Sequence, residues 1–167
     1  SRKWKKGDVV SVHFDMEVRT VRANNKVDAD CGQVSFERGP IVYCAEWPDN
    51  DFDIMSLLLN QNPTFTLGQL PYSDFLAKAE QPKLTLFQGQ QLTTLTMPAQ
   101  TLAYDNNGNL TTRGVSLKLI PYFAWCHRGS GNMKVWMPQN VSAARPATPP
   151  TIASQAKIDA SKRTSAL

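Results

Sequence analysis

Residues 8–19 read Asp-Val-Val-Ser-Val-His-Phe-Asp-Met-Glu-Val-Arg. Val10, Val12, Phe14, Met16 and Val18 fall on one side of an extended chain, and Ser11, His13, Asp15, Glu17 and Arg19 on the other. Side chains of a strand alternate between its faces, so this pattern predicts a half-buried antiparallel strand. His13 then lies on the wet face, as a solvated strand residue rather than a catalytic one. Downstream, Val34 and Phe36 alternate with Ser35 and Glu37 until Gly39-Pro40 breaks the run. Ile41–Ala45 is short and apolar throughout, which suits a strand inside a sandwich. Trp47-Pro48-Asp49-Asn50 closes it with turn-forming residues.

The middle of the chain is less regular. Ile54–Leu59 is expected to form a short helical turn, as is Asp74–Glu80, with brief strands at Thr64–Leu67 and Leu84–Phe87. The second β block is clearer. Gln100–Tyr104 and Leu110–Thr112 flank Asp105-Asn106-Asn107-Gly108-Asn109, a hairpin loop with Asn-Gly at its tip. Val115, Leu117 and Leu119 alternate with Ser116 and Lys118, and Met133, Val135 and Met137 alternate with Lys134 and Trp136. Short strands, frequent turns and no convincing long helix predict an all-β antiparallel sandwich or jelly-roll, with a short irregular insertion and an extended C-terminal linker.

Three parts follow from this pattern. Residues 1–22 are the terminal strand of a preceding sandwich or the first strand of this one. Residues 23–140 are the sandwich domain. Residues 141–167 are a linker, rich in Pro and Ala over 143–150, and the start of a further element. Ser1 and the abrupt basic opening imply a sequence taken from within a longer chain. The 167 residues suffice for one core. No apolar run is long enough for a membrane helix, so no membrane insertion is expected.

The net charge of +4 invites a nucleic-acid reading. Its distribution argues against one. Arg2, Lys3, Lys5 and Lys6 at one end and Arg145, Lys157, Lys162 and Arg163 at the other supply the excess, leaving a slightly acidic body. Cys31, Cys44 and Cys126 have no metal-ligand spacing and are an odd number, so free structural thiols are expected, with no metal and no cofactor. Asp49, Asp51 and Asp53 resemble the opening of a calcium loop, but Ile54 and Asn60 stand where its glycine and bidentate glutamate belong. Glu37 and Glu46 are the carboxylates nearest to β segments, yet nothing opposes them across a cleft as a glycosidase requires. Cys126-His127 on an extended strand would point to opposite faces. No catalytic residue is assigned. Trp47, Tyr122, Trp125 and Trp136 lie near turns, where aromatic rings serve packing or sugar stacking.

Two segments carry a resemblance. Phe36-Glu37-Arg38-Gly39-Pro40-Ile41-Val42-Tyr43-Cys44-Ala45-Glu46, followed by Asp49-Asn50, resembles the signature after the catalytic barrel in bacterial β-L-arabinofuranosidases of glycoside hydrolase family 127. Leu119–Gly129 together with Met133–Pro138 resembles that family's closing strands, and Trp4–Val10 resembles the strand that ends its preceding sandwich. The segment Asp53–Gln91 departs from the simplest pattern and is expected as extra loop or sheet-edge material. The resemblance implies a non-catalytic accessory sandwich of a multidomain glycoside hydrolase acting on arabinose-containing glycans, with a plant-type or arabinose-containing glycan as a partner. Its partner would be the catalytic (α/α)6 barrel of the same parent, exported to the periplasm or cell surface. The barrel holds the family's catalytic acids and zinc cysteines, and neither has a counterpart here. Arg38, Tyr43, Glu46 and Trp47 are then the expected interdomain contacts. Tyr122, Trp125 and Trp136 are the alternative, a carbohydrate-stacking platform of a binding module.

Overall fold

The Gly39-Pro40 break sets the centre of the fold. Arg38 pairs with Ile41, so only these two residues join β2 (Gln33–Arg38) to β3 (Ile41–Glu46). Gly39 has φ +56°, and the proline ring forbids a second positive φ, so the turn is of the type II′ kind that suits strand twist. The computed structural model describes residues 2–75 and 89–147. These residues are all-β, with short 3-10 turns between strands.

Seven further strands complete one antiparallel sheet. They are β1 (Val18–Val21), β4 (Leu57–Leu59), β5 (Thr66–Pro71), β6 (Gln91–Tyr104), β7 (Leu110–Pro121), β8 (Met133–Lys134) and β9 (Met137–Pro138). The order across the sheet is β1-β2-β3-β7-β6-β4, with β5 on β6, β8 on β3 and β9 on β2. β6 and β7 form the expected hairpin, longer than the loop signal alone implied, with Tyr104 opposite Leu110. The Asp105 carboxylate organises its tip by accepting N–H bonds from Asn107 and Asn109 at 2.9 and 2.8 Å. Those bonds, Asn109's first, hold its carboxyl below the usual range. Pro98, which cannot donate to a ladder, sits where β6 passes from β5 to β4 and has no strand partner on that edge.

The sheet curls until its ends meet, which gives the sandwich-like closure. The Gln139 side chain, just after β9, donates to the carbonyls of Asn60 and Gln61 at 3.1 and 3.2 Å, and Gln61 donates back to Gln139 O at 2.7 Å. Inside the curl lie Val34, Phe36, Tyr43, Ala45, Leu57, Leu95, Met97, Leu117, Leu119 and Met137. A second cluster on the opposite face of β3 and β7 holds Cys44, Tyr72, Phe75, Leu92, Ile120 and Ala124. β3 is thus buried on both faces, as its unbroken apolar run requires.

Three local expectations are revised. The alternating stretch 8–17 is not in the sheet, and only Val18–Val21 pairs, with β2. Val10, Val12 and Phe14 stand 61–69 % exposed. Alternation records what a strand is suited to, and burial needs a second surface that these residues do not meet here. Ile54–Leu59 divides into a 3-10 turn, Ile54–Ser56, and the edge strand β4, because Leu57 and Leu59 are drawn into the core. The Met133–Met137 run is split between β3 and β2, with Trp136 between the two short strands. Leu84–Phe87 and most of Asp74–Glu80 lie outside the described residues.

Candidate functional site: a buried arginine clamp

The two segments that carry the resemblance meet in space. Glu46 ends β3, Asp49 lies in the 3-10 turn Trp47–Asp49, and Arg128 follows the 3-10 turn Tyr122–Ala124 at the end of β7. The Arg128 guanidinium donates to both Asp49 carboxylate oxygens, at 3.1 and 2.5 Å, and to Glu46 Oε2. The Glu46 and Asp49 side chains are 2 % and 6 % exposed, and that of Arg128 18 %. The Arg128 guanidinium carbon also lies 4.8 Å from the Phe75 ring centroid, a cation–π contact. Burial alone would lower the Arg128 pKa, but the two carboxylates hold it above its ordinary value.

Glu46 has one more task. Its Oε1 accepts the Cys126 N–H at 2.8 Å, and Cys126 is a non-glycine residue at φ +71°. Left-handed backbone disfavours a residue with a Cβ, so neighbouring contacts must hold it there. The clamp supplies them. Cys126 and His127 are therefore in a turn rather than on a strand.

Asn50 extends the clamp into the sheet. Its amide donates to Glu46 O and Lys118 O at 2.9 and 3.1 Å, and its Oδ1 accepts the Lys118 N–H at 2.9 Å. β3 pairs with β7 only over residues 119–121. The asparagine amide thus continues the ladder one residue past the last strand pair. Trp47 completes the assembly. Its backbone N–H donates to Asn132 O, and its indole fills the space a Cβ on Gly131 would occupy.

Of the expected interdomain residues, Tyr43 is fully buried, with its hydroxyl donating to Thr93 O at 2.9 Å. Burial pushes its phenol up, against the nearby Arg38 guanidinium. Glu46 is committed to the clamp, while Arg38 and Trp47 are half-buried. Tyr122 is 42 % exposed and Trp125 half-buried, their ring centroids 6.1 Å apart and tilted by 33°. Trp136 is half-buried and shares no ring contact with either among the described residues. Sequence reasoning missed Arg128, Asp49 and Asn50 as a unit. The signal was available only as two motifs about eighty residues apart.

Glu37 pairs at the surface with Arg19 at 2.6 Å. Asp53 accepts the Met55 N–H as a turn cap. Among the described residues no three His, Cys, Asp or Glu side chains are grouped to hold a metal.

The chain is similar to known proteins. The family description "Glycoside hydrolase family 127 C-terminal domain" matches residues 18–138. A non-reducing end β-L-arabinofuranosidase of Bifidobacterium longum subsp. longum is 31 % identical over 137 residues, covering 76 % of this chain and 19 % of that protein. A solved family 127 β-arabinofuranosidase is 53 % identical with TM-score 0.71, over 89 % of this chain and 21 % of that one. A β-L-arabinofuranosidase of the same family from Geobacillus stearothermophilus T6 gives 29 % and 0.56, over 72 % and 18 %. The chain thus spans about a fifth of the length of these relatives. It belongs to glycoside hydrolase family 127, and residues 18–138 are that family's C-terminal domain.

Proposed function

We propose that this chain is a non-catalytic accessory domain of a glycoside hydrolase acting on arabinose-containing glycans, where it supports the catalytic barrel of the same parent. One observation carries the reading. The carboxylates of the family motif, Glu46 and Asp49, are buried and spent on Arg128, so they face no substrate. A glycosidase pair needs two carboxyl groups flanking an open sugar site.

The exposed residues suit docking. Tyr122 and Phe123 stand 42 % and 52 % exposed on the turn that the clamp fixes, with half-buried Arg38 and Trp47 as further contacts. Residues 8–17, apolar on one side and exposed here, begin outside the matched domain, which starts at Val18. They suit the role of terminal strand of a preceding sandwich, completed by a sheet edge beyond this chain. In this reading the parent is exported to the periplasm or cell surface.

The test is deletion of residues 18–138 from the full-length parent. Loss of soluble, arabinofuranosidase-active barrel is expected. A barrel equally stable and active without the domain would overturn the proposal. The exposure of Tyr122 beside Trp125 favours a second reading, a carbohydrate-binding module. A saturable tryptophan-fluorescence change with arabino-oligosaccharides, lost in Trp125→Ala, would select it.

A further inference from the structure

A cleft of about 490 Å³ opens where the 3-10 turn Asp28–Asp30, β8 and the 3-10 turn Val141–Ala143 converge. Asp28, Gln33, Met55, Lys134, Ser142 and Arg145 line it. Lys134 is half-buried, and its pKa is lowered by burial first and by Arg145 second, with Asp53 opposing. Among the described residues no carboxylate forms an ion pair with Lys134 or Arg145. Two cations facing one cleft repel each other, and the carboxylates of Asp28 in the lining and Asp53 nearby reach neither within ion-pair distance. An anion held between them would relieve both.

The rest of the lining narrows the class of anion. Gln33, Ser142 and Asp28 offer hydrogen-bonding groups to hydroxyls, while Met55 and Ala143 present apolar surface to ring C–H groups. The volume lies in the range of about 300–1,000 Å³ typical of small-ligand sites. We propose that this cleft binds a sugar acid, its carboxylate between Lys134 and Arg145 and its hydroxyls against Gln33, Ser142 and Asp28. The site is separate from the clamp and from the Tyr122–Trp125 surface, and it does not depend on the accessory role.

Calorimetric titration of this chain with sodium glucuronate, at fixed ionic strength, tests the assignment. Glucose and inorganic phosphate serve as matched probes. Saturable binding of glucuronate is expected, with little response to glucose or phosphate. Each of Lys134→Met and Arg145→Gln should weaken it by about tenfold or more, the loss expected for one charge-assisted contact. Arg145 is exposed, so Arg145→Gln tests the site even where Lys134→Met disturbs β8. Absence of saturation, equal response to glucose, equal response to phosphate, or unchanged binding in Arg145→Gln would each overturn the proposal.

Discussion

Replacing Arg128 with methionine isolates the electrostatic part of the clamp. Methionine keeps an unbranched apolar stem over Phe75 but removes every N–H that Glu46 and Asp49 accept from the guanidinium. Two carboxylates only 2 % and 6 % exposed then lose their cation. Breaking a buried pair from one side costs about 3–5 kcal/mol, because the remaining charge stays desolvated. With a urea dependence of about 1–3 kcal/mol per molar, the unfolding midpoint should fall by about 2 M. Arg19→Met is the matched control. It breaks the Arg19–Glu37 pair, whose side chains are 63 % and 28 % exposed, and should cost under about 1 kcal/mol. Salt sharpens the contrast, since added sodium chloride screens the surface pair and leaves the buried one little changed. Urea unfolding followed by tryptophan fluorescence reads both variants. An Arg128→Met loss no larger than that of Arg19→Met would refute the clamp as a principal tie between the motifs.

Gly131→Ala should lose about 1–3 kcal/mol, because the new Cβ overlaps the Trp47 indole, and a shifted emission maximum would report the displaced ring. An unchanged midpoint and spectrum would show that the contact is loose. Cys126→Gly should raise stability by up to about 1 kcal/mol, since glycine adopts φ +71° without a Cβ penalty while the N–H to Glu46 remains. A thermal midpoint below that of the parent chain would count against it. Burial, with Glu46 and Asp49 adding to it, pushes the Cys44 thiol up to about 12. A disulfide-exchange reagent at mildly alkaline pH should therefore titrate Cys31 and Cys126, which are exposed, and reach Cys44 only after denaturant is added. Three equally fast thiols in the native chain would contradict the buried position.

The sequence made some of this legible because local chemistry decided it. Asn107-Gly108 forced a reversal, and the β6–β7 hairpin followed with Tyr104 opposite Leu110. The apolar run Ile41–Ala45 announced a strand covered on both sides, and Cys44 and Tyr43 do enter opposite clusters. Residues 8–17 show the limit of such reading. Their alternation is as regular as that of any strand in the chain, yet they join no strand of the sheet among the described residues. A period of two says which face a strand would bury and nothing about where its neighbour is. The run Met133–Met137 failed differently. Its alternation is real, but each end satisfies a different strand, and no local rule assigns two partners to five residues.

The clamp was hidden for a further reason, which bears on what the family motif is for. Read alone, Glu46 and Asp49 are acidic residues near a turn, and Arg128 is a basic residue near a glycine. Each has the look of a solvated charge. Only closure of β3 on β7 brings them together, with Asn50 extending the ladder by one residue and Cys126 held in left-handed backbone. Buried charges of this kind contribute less to net stability than apolar residues of similar volume would. What they add is position. The clamp fixes the turn that carries Tyr122, Phe123 and Trp125 to the end of β3, and an apolar core alone would leave that turn free to repack. A motif built from buried acid, amide and guanidinium therefore specifies the placement of a surface. Amide exchange across residues 122–128 should therefore quicken in Arg128→Met by more than the fall in global stability accounts for, and by more than exchange in the β6–β7 hairpin. Uniform acceleration across both would mean that the clamp stabilises the domain as a whole and positions nothing in particular.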